Sequence, residues 1–91
     1  MIFKWDPAKA EANLKKHGVD FREAASVMAD PLSTTFPDPE HSRSERRFLT
    51  IGLSRSERLL VIAHTDEHAA IRIISARRAT RHERRFYEQG T

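Results

Sequence analysis

Three guanidinium groups lie on one short stretch, Ala70–Arg78, which reads AIRIISARR. Its alternation and its β-branched Ile71, Ile73 and Ile74 predict a strand. Arg72, Arg77 and Arg78 are therefore cations on a rigid element, suited to form the floor of an anion site. Arginine grips phosphate with two parallel N–H donors, which lysine cannot do. An RNA phosphate is the anion that this arrangement fits best. Successive strand side chains point to opposite faces. Arg72 and Arg77 thus serve one site only if a bulge intervenes or if Arg77 lies past the strand end.

Metal-free RNA cleavage suits these residue types. The RNA 2′-hydroxyl attacks its own phosphate, so the protein need not supply a nucleophile. It must supply a proton acceptor, cations around the developing charge, and an acid for the leaving 5′-oxygen. One preorganised charge contact contributes roughly 3–4 kcal/mol where water is excluded. The ingredients are His17, Glu45, His64, Arg72, Arg77 and Tyr87. Other chemistries are poorly served. His64-x-x-x-His68 runs from a strand into a turn, which spoils helical metal-ligand geometry, and no acidic cluster suits paired magnesium ions. The three glycines are far apart, so no phosphate loop forms, and no serine elbow is present. No cofactor is expected.

These residues must be positioned by a short series of elements. Residues 1–5 form a candidate edge strand. Asp6-Pro7 is an N-cap followed by proline at the first helical position, Pro7–His17 is a helix, and Gly18 stops it. Lys9, Asn13, Lys16 and His17 share one polar helix face, which either meets a phosphate chain or simply faces solvent. Asp20-x-x-Glu23 is a capping box for a second helix over residues 21–29, with Phe21, Ala24, Ala25 and Met28 turned inward. A threonine-rich strand over 32–36 is followed by a proline-rich loop at 37–42. Strands over 46–53 and 58–65, joined by a four-residue loop, lead into the arginine-bearing strand and complete an antiparallel meander. Apolar residues at every position from Leu59 to Ala63 mark a central strand covered on both sides. Thr80-x-x-Glu83 caps a last helix over 81–89, and Gly90 ends it.

The length of 91 residues allows one domain, spanning 1–91. Charge is unevenly spread. Residues 1–40 carry 5 bases and 7 acids, whereas residues 41–91 carry 11 bases and 6 acids. The basic, arginine-rich second half points to a nucleic-acid surface or an acidic partner. The absence of cysteine excludes disulfides and thiolate chemistry. No apolar run reaches the roughly 20 residues of a membrane span and no signal peptide is visible. A cytoplasmic protein with no membrane partner is expected.

Several segments occur in a fixed order: Phe3-Lys4-Trp5-Asp6, Lys9 with Asn13, Lys16-His17-Gly18-Val19, Phe21-x-x-Ala24, Glu45-x-Arg47, Ile51-Gly52, residues 71–77, and Glu83-Arg84 with Tyr87. This pattern resembles the BrnT family of toxins from bacterial type II toxin–antitoxin systems. The resemblance implies an α+β, RelE-like fold: two N-terminal helices packed on an antiparallel sheet, with a C-terminal helix. It also implies ribonuclease activity that blocks translation. The partner would be a BrnA-like antitoxin, through which operator DNA is reached only indirectly. On that footing Arg72 and Arg77 hold the phosphate, and His17 or Glu45 accepts the proton. Lys9, Asn13, Lys16, Arg47 and Arg78 line the RNA path.

Readings from other classes stay open at this level. In one, the chain is a non-catalytic module that pairs with a DNA-binding antitoxin in operon repression. His17 then only caps carbonyls, and Glu45 only pairs with Arg47 or Arg72. Direct DNA binding lacks a recognisable helix-turn-helix spacing.

Overall fold

Leu59–His64, apolar at almost every position, is the middle strand of a five-stranded sheet. Leu59, Leu60, Val61 and Ile62 are all buried, because both faces of the sheet are covered at this strand. The computed structural model describes residues 2–89. In chain order the elements are β1 (Ile2–Lys4), α1 (Pro7–His17), α2 (Phe21–Ser26), β2 (Thr34–Pro37), β3 (Phe48–Leu53), β4 (Leu59–His64), β5 (Ala70–Arg78) and α3 (Arg81–Gln89). Single 3₁₀ turns at Val27–Ala29 and Pro39–His41 complete the series. The parts of the expected first strand at Met1 and of the expected stop at Gly90 lie outside the described residues.

The sheet order is β1-β5-β4-β3-β2, and the β3-β4-β5 meander is present as expected. The sheet is mixed, however, and not antiparallel throughout. β1 runs parallel to β5, pairing Ile2 with Ala70 and Lys4 with Arg72. A three-residue apolar segment carries no mark of its direction, so its side-chain pattern fits either pairing.

The local signals acted as their chemistry dictates. The Asp6 carboxylate accepts from the Ala8 N–H at 3.2 Å. Gly18 takes a left-handed φ of 69° and donates its N–H to the Leu14 carbonyl, closing α1. α2 is shorter than the sequence suggests. The Ser26 hydroxyl donates to the Glu23 carbonyl at 2.6 Å and accepts the Arg55 N–H at 2.9 Å. This side-chain competition turns the last residues into a 3₁₀ turn.

Two apolar clusters fill the two sides of the sheet. Val19, Phe21, Ala24 and Val27 pack on Leu60, Ile62, Ile73 and Ala76. Ile51, Leu59 and Val61 form the other cluster, joined by Phe36, Leu49 and Tyr87. Leu60 and Val61 are adjacent, so the clusters occupy opposite faces. Buried Glu23 ties the first cluster to the β3–β4 turn, accepting from Arg58 at 2.9 and 2.5 Å and from the Ser54 hydroxyl at 2.7 Å. The Arg58 guanidinium holds the Glu23 carboxyl below the usual carboxylate range. α3 is anchored by Tyr87, whose hydroxyl donates to Asp30 at 2.6 Å, and by Phe86 set edge-on to Phe36.

Candidate functional site

The strand that carries the arginines is not regular. His64 pairs with Ile73 and Ala63 with Ser75, which leaves Ile74 as an extra residue. This is a β-bulge, and it reverses the alternation along β5. Ile73 and Ala76, three residues apart, both face the α1–α2 side. Arg72 and Arg77 therefore share the opposite face, although they are five positions apart. They stand roughly 15 Å apart along the strand, so they flank one surface without touching.

Two hollows meet at the bulge. One, of about 320 Å³, has Asp38, His41, Arg47, Ser75, Ile74 and Arg77 in its wall. The other, of about 220 Å³, has Lys9, Asn13, Lys16, His17, Ile74 and Ser75. Ile74 and Ser75 line both, so the two hollows adjoin at the bulge. The fold thus gathers Lys9, Lys16, His17, Arg47 and Arg77, which come from distant parts of the chain. Among the described residues, the side chains of Lys9, Lys16 and His17 make no hydrogen bond or ion pair.

The arginines are held by carboxylates. Arg77 donates to both oxygens of Glu83, at 2.8 Å each. Glu83 also accepts the Thr80 N–H at 2.8 Å, and its own N–H donates to the Thr80 hydroxyl, the reciprocal cap of α3. The guanidinium pulls the Glu83 carboxyl down to about 2. Arg72 donates from Nη2 to Glu45 and from Nε to Glu67, the latter at 3.3 Å. Glu67 is brought to about 2, first by Lys4 and then by the Thr65 hydroxyl. Glu45 also lies 3.6 Å from Arg47, so it stands between two guanidiniums. The Arg47 Nε is buried without a hydrogen-bond partner. Such an orphaned donor costs roughly 1–3 kcal/mol.

Three residues depart from the sequence reading. Asn13 shares the helix face of Lys9 and Lys16, yet it is buried. Its amide donates to the Val19 and Ala76 carbonyls and accepts the Ala76 N–H, so no donor or acceptor group is free for RNA. Arg78 is exposed at the strand end. Alternation puts it on the face opposite Arg77, outside both hollows. His64 is buried, and burial lowers its basicity. Its Nε2 meets the Thr50 hydroxyl at 2.7 Å, and its Nδ1 faces the Thr65 carbonyl at 3.1 Å. A carbonyl can only accept, so Nδ1 carries the hydrogen and the ring is spent inside the core.

The sequence reading treated Asp38 and His41 as surface loop. The structure puts both in the arginine-lined hollow, with His41 Nδ1 at 2.8 Å from Asp38 Oδ2. The signal was available in Asp38-Pro39-Glu40-His41, because one tight turn brings positions three apart together. Among the described residues, no three His, Cys, Asp or Glu side chains gather as a metal site. Among the described residues, no helix is long and apolar enough to cross a membrane.

Comparison with known proteins adds to this geometry. Residues 5–83 match a family model described as the ribonuclease toxin BrnT of type II toxin–antitoxin systems. No curated protein matches the sequence. Among solved structures, the Brucella abortus ribonuclease toxin BrnT is similar, with a TM-score of 0.68 and 22% identity. The alignment covers 89% of this chain and 100% of that one.

Proposed function

The chain belongs to the BrnT family of ribonuclease toxins of type II toxin–antitoxin systems, and from that premise we propose that it cleaves RNA without a metal, by attack of the 2′-hydroxyl on the adjacent phosphate. Inhibition of translation in the cytoplasm is the consequence. The observation that carries this reading is the convergence of Lys9, Lys16, Arg47 and Arg77 on two hollows that adjoin at the Ile74 bulge.

The division of labour follows from the contacts. Arg47 stands in the wall of the hollow as a fixed cation beside Glu45. Arg77 has five N–H donors; Glu83 engages its two terminal nitrogens and holds the fork in place, leaving others for a ligand. Fixed cations of this kind stabilise charge that grows in the transition state without reorganising. Arg72 is engaged with Glu45 and Glu67, so it sets the position of Glu45 beside Arg47. Lys9 and Lys16 guide the flanking backbone. Of the two proton acceptors read from the sequence, His17 stands in the neighbouring hollow and Glu45 is clasped by arginine.

The architecture, helices against a sheet with a closing helix, is read as RelE-like on the same footing. A BrnA-like antitoxin is the proposed partner, with operator DNA contacted through it. The test is incubation of the purified protein with RNA in EDTA. Discrete fragments ending in a 2′,3′-cyclic phosphate are the expected result. Intact RNA at every protein concentration, with antitoxin binding preserved, would return the chain to the non-catalytic reading.

A further inference from the structure

His41 and Asp38 form a pair that neither the family match nor the arginine argument accounts for. The Asp38 carboxylate can only accept, so the 2.8 Å contact puts the ring hydrogen on His41 Nδ1. Nε2 is then left with its lone pair. The Asp38 side chain is only 14% exposed, whereas that of His41 is 60% exposed. Asp38 is also fixed through its backbone. Its N–H donates to the Arg47 carbonyl at 2.9 Å, and its carbonyl accepts the Ser42 hydroxyl at 2.6 Å. A rigid acceptor thus orients an accessible imidazole in the hollow that also holds Arg47 and Arg77.

We propose that His41 is a proton-transferring residue of this site and that Asp38 is its positioning residue, an inference that rests on the ribonuclease reading above. Nε2 takes the proton of the 2′-hydroxyl as the O2′–P bond forms. The P–O5′ bond breaks, and its electron pair stays on O5′. The imidazolium returns its proton to O5′, directly or through water. The products are a 2′,3′-cyclic phosphate and a 5′-hydroxyl, so atoms and charges balance without any further reactant. The charged groups that line the hollow with the ring are Asp38, Glu40, Arg47 and Arg77. The Asp38 carboxylate holds Nδ1 as the donor, so Nε2 is the nitrogen turned to the substrate.

The experiment compares wild type, His41→Gln, Asp38→Asn and Asp38→Glu on a short synthetic RNA in EDTA under single-turnover conditions. Binding is read separately on the all-2′-O-methyl version of that RNA, which cannot be cleaved. His41→Gln is expected to slow cleavage by ~100-fold or more while keeping affinity. Asp38→Asn is expected to slow cleavage at unchanged affinity, and Asp38→Glu, which restores a carboxylate acceptor, to recover part of the rate, a rescue that mere loosening of the loop would not give. Cleavage by His41→Gln at the wild-type rate overturns the inference and leaves the ribonuclease reading standing. So does an equal loss of rate and affinity, which makes His41 a binding residue. Cleavage by Asp38→Asn at the wild-type rate, or no recovery in Asp38→Glu, removes the positioning role. No cleavage by the wild type removes the ribonuclease reading and this inference with it.

Discussion

The Asn13 side chain pairs with the Ala76 backbone as a neighbouring strand would: its Nδ2 donates to the Ala76 carbonyl at 2.9 Å and its Oδ1 accepts the Ala76 N–H at 3.1 Å. β1 covers β5 only from Ala70 to Arg72, so the edge beyond is open to α1. An open edge needs its polar groups satisfied, and one amide on α1 does this beside the bulge. Asn13→Ala strands buried backbone groups at Ala76 and Val19, and a loss of about 2–4 kcal/mol in urea unfolding is expected. Asn13→Asp should be no milder, since its carboxylate faces two carbonyls. A cost below about 0.5 kcal/mol would show that water replaces the amide readily.

Gly52 marks where β3 meets the turn after α2. A Cβ there would sit 2.7 Å from Val27 Cγ1 and 2.9 Å from Ser33 Cβ. Val27 is fully buried and cannot swing aside. Gly52→Ala should cost about 1–3 kcal/mol by overpacking. Adding Val27→Ala should recover part of that, giving favourable coupling in a double-mutant cycle. Strictly additive effects would mean that the backbone shifts to make room.

What could be read in the sequence was local. Caps such as Asp6 and Gly18, and the unbroken apolar run from Leu59, declare their roles through their own chemistry. What could not be read depends on neighbours from elsewhere in the chain. Helical spacing puts Asn13 beside Lys9 and Lys16, but nothing in the helix says that a bare strand edge lies against it. The run of Ile71, Ile73 and Ile74 fits a regular strand or a bulged one equally well. The arginines announced an anion surface. Of the carboxylates that hold them, Glu45 is a candidate partner of Arg47 and Arg72 in the sequence already, whereas Glu83 reads there only as the cap of the last helix.

Acid should reveal the Arg77–Glu83 link. Glu83 titrates at about 2 in the fold, against 4.5 for an unperturbed glutamate. A depressed carboxylate adds stability that is complete above pH 4.5 and is lost as the pH falls through about 2. Arg77 is 40% exposed, so solvent screening leaves about 1–2 kcal/mol of it. Glu83→Gln keeps one acceptor oxygen, for the Thr80 N–H and Arg77 Nη1, but removes the charge and the second acceptor that Arg77 Nη2 uses. Unfolding curves of wild type and variant should differ near neutrality and converge toward pH 2. Parallel curves across that range would assign the effect to packing.

Salt dependence can count the phosphates that the surface engages. Lys9 and Lys16 are on the rim of the second hollow. If each neutralises one phosphate, each contributes about 0.7 to the slope of log affinity against log salt for single-stranded RNA. Lys9→Gln and Lys16→Gln should each flatten that slope by about this amount, with little change in thermal stability, because exposed charges add little to folding. Arg47→Lys keeps the charge but loses the planar guanidinium fork. It should leave the slope nearly intact and still slow cleavage, by about 10–100-fold, if one positioned donor contributes ~2 kcal/mol in the transition state. The two measurements separate attraction from catalysis. Slopes unchanged by either lysine substitution would move the RNA path off the bulge, whereas an Arg47→Lys variant that cleaves at full rate would take the phosphate out of the arginine hollow.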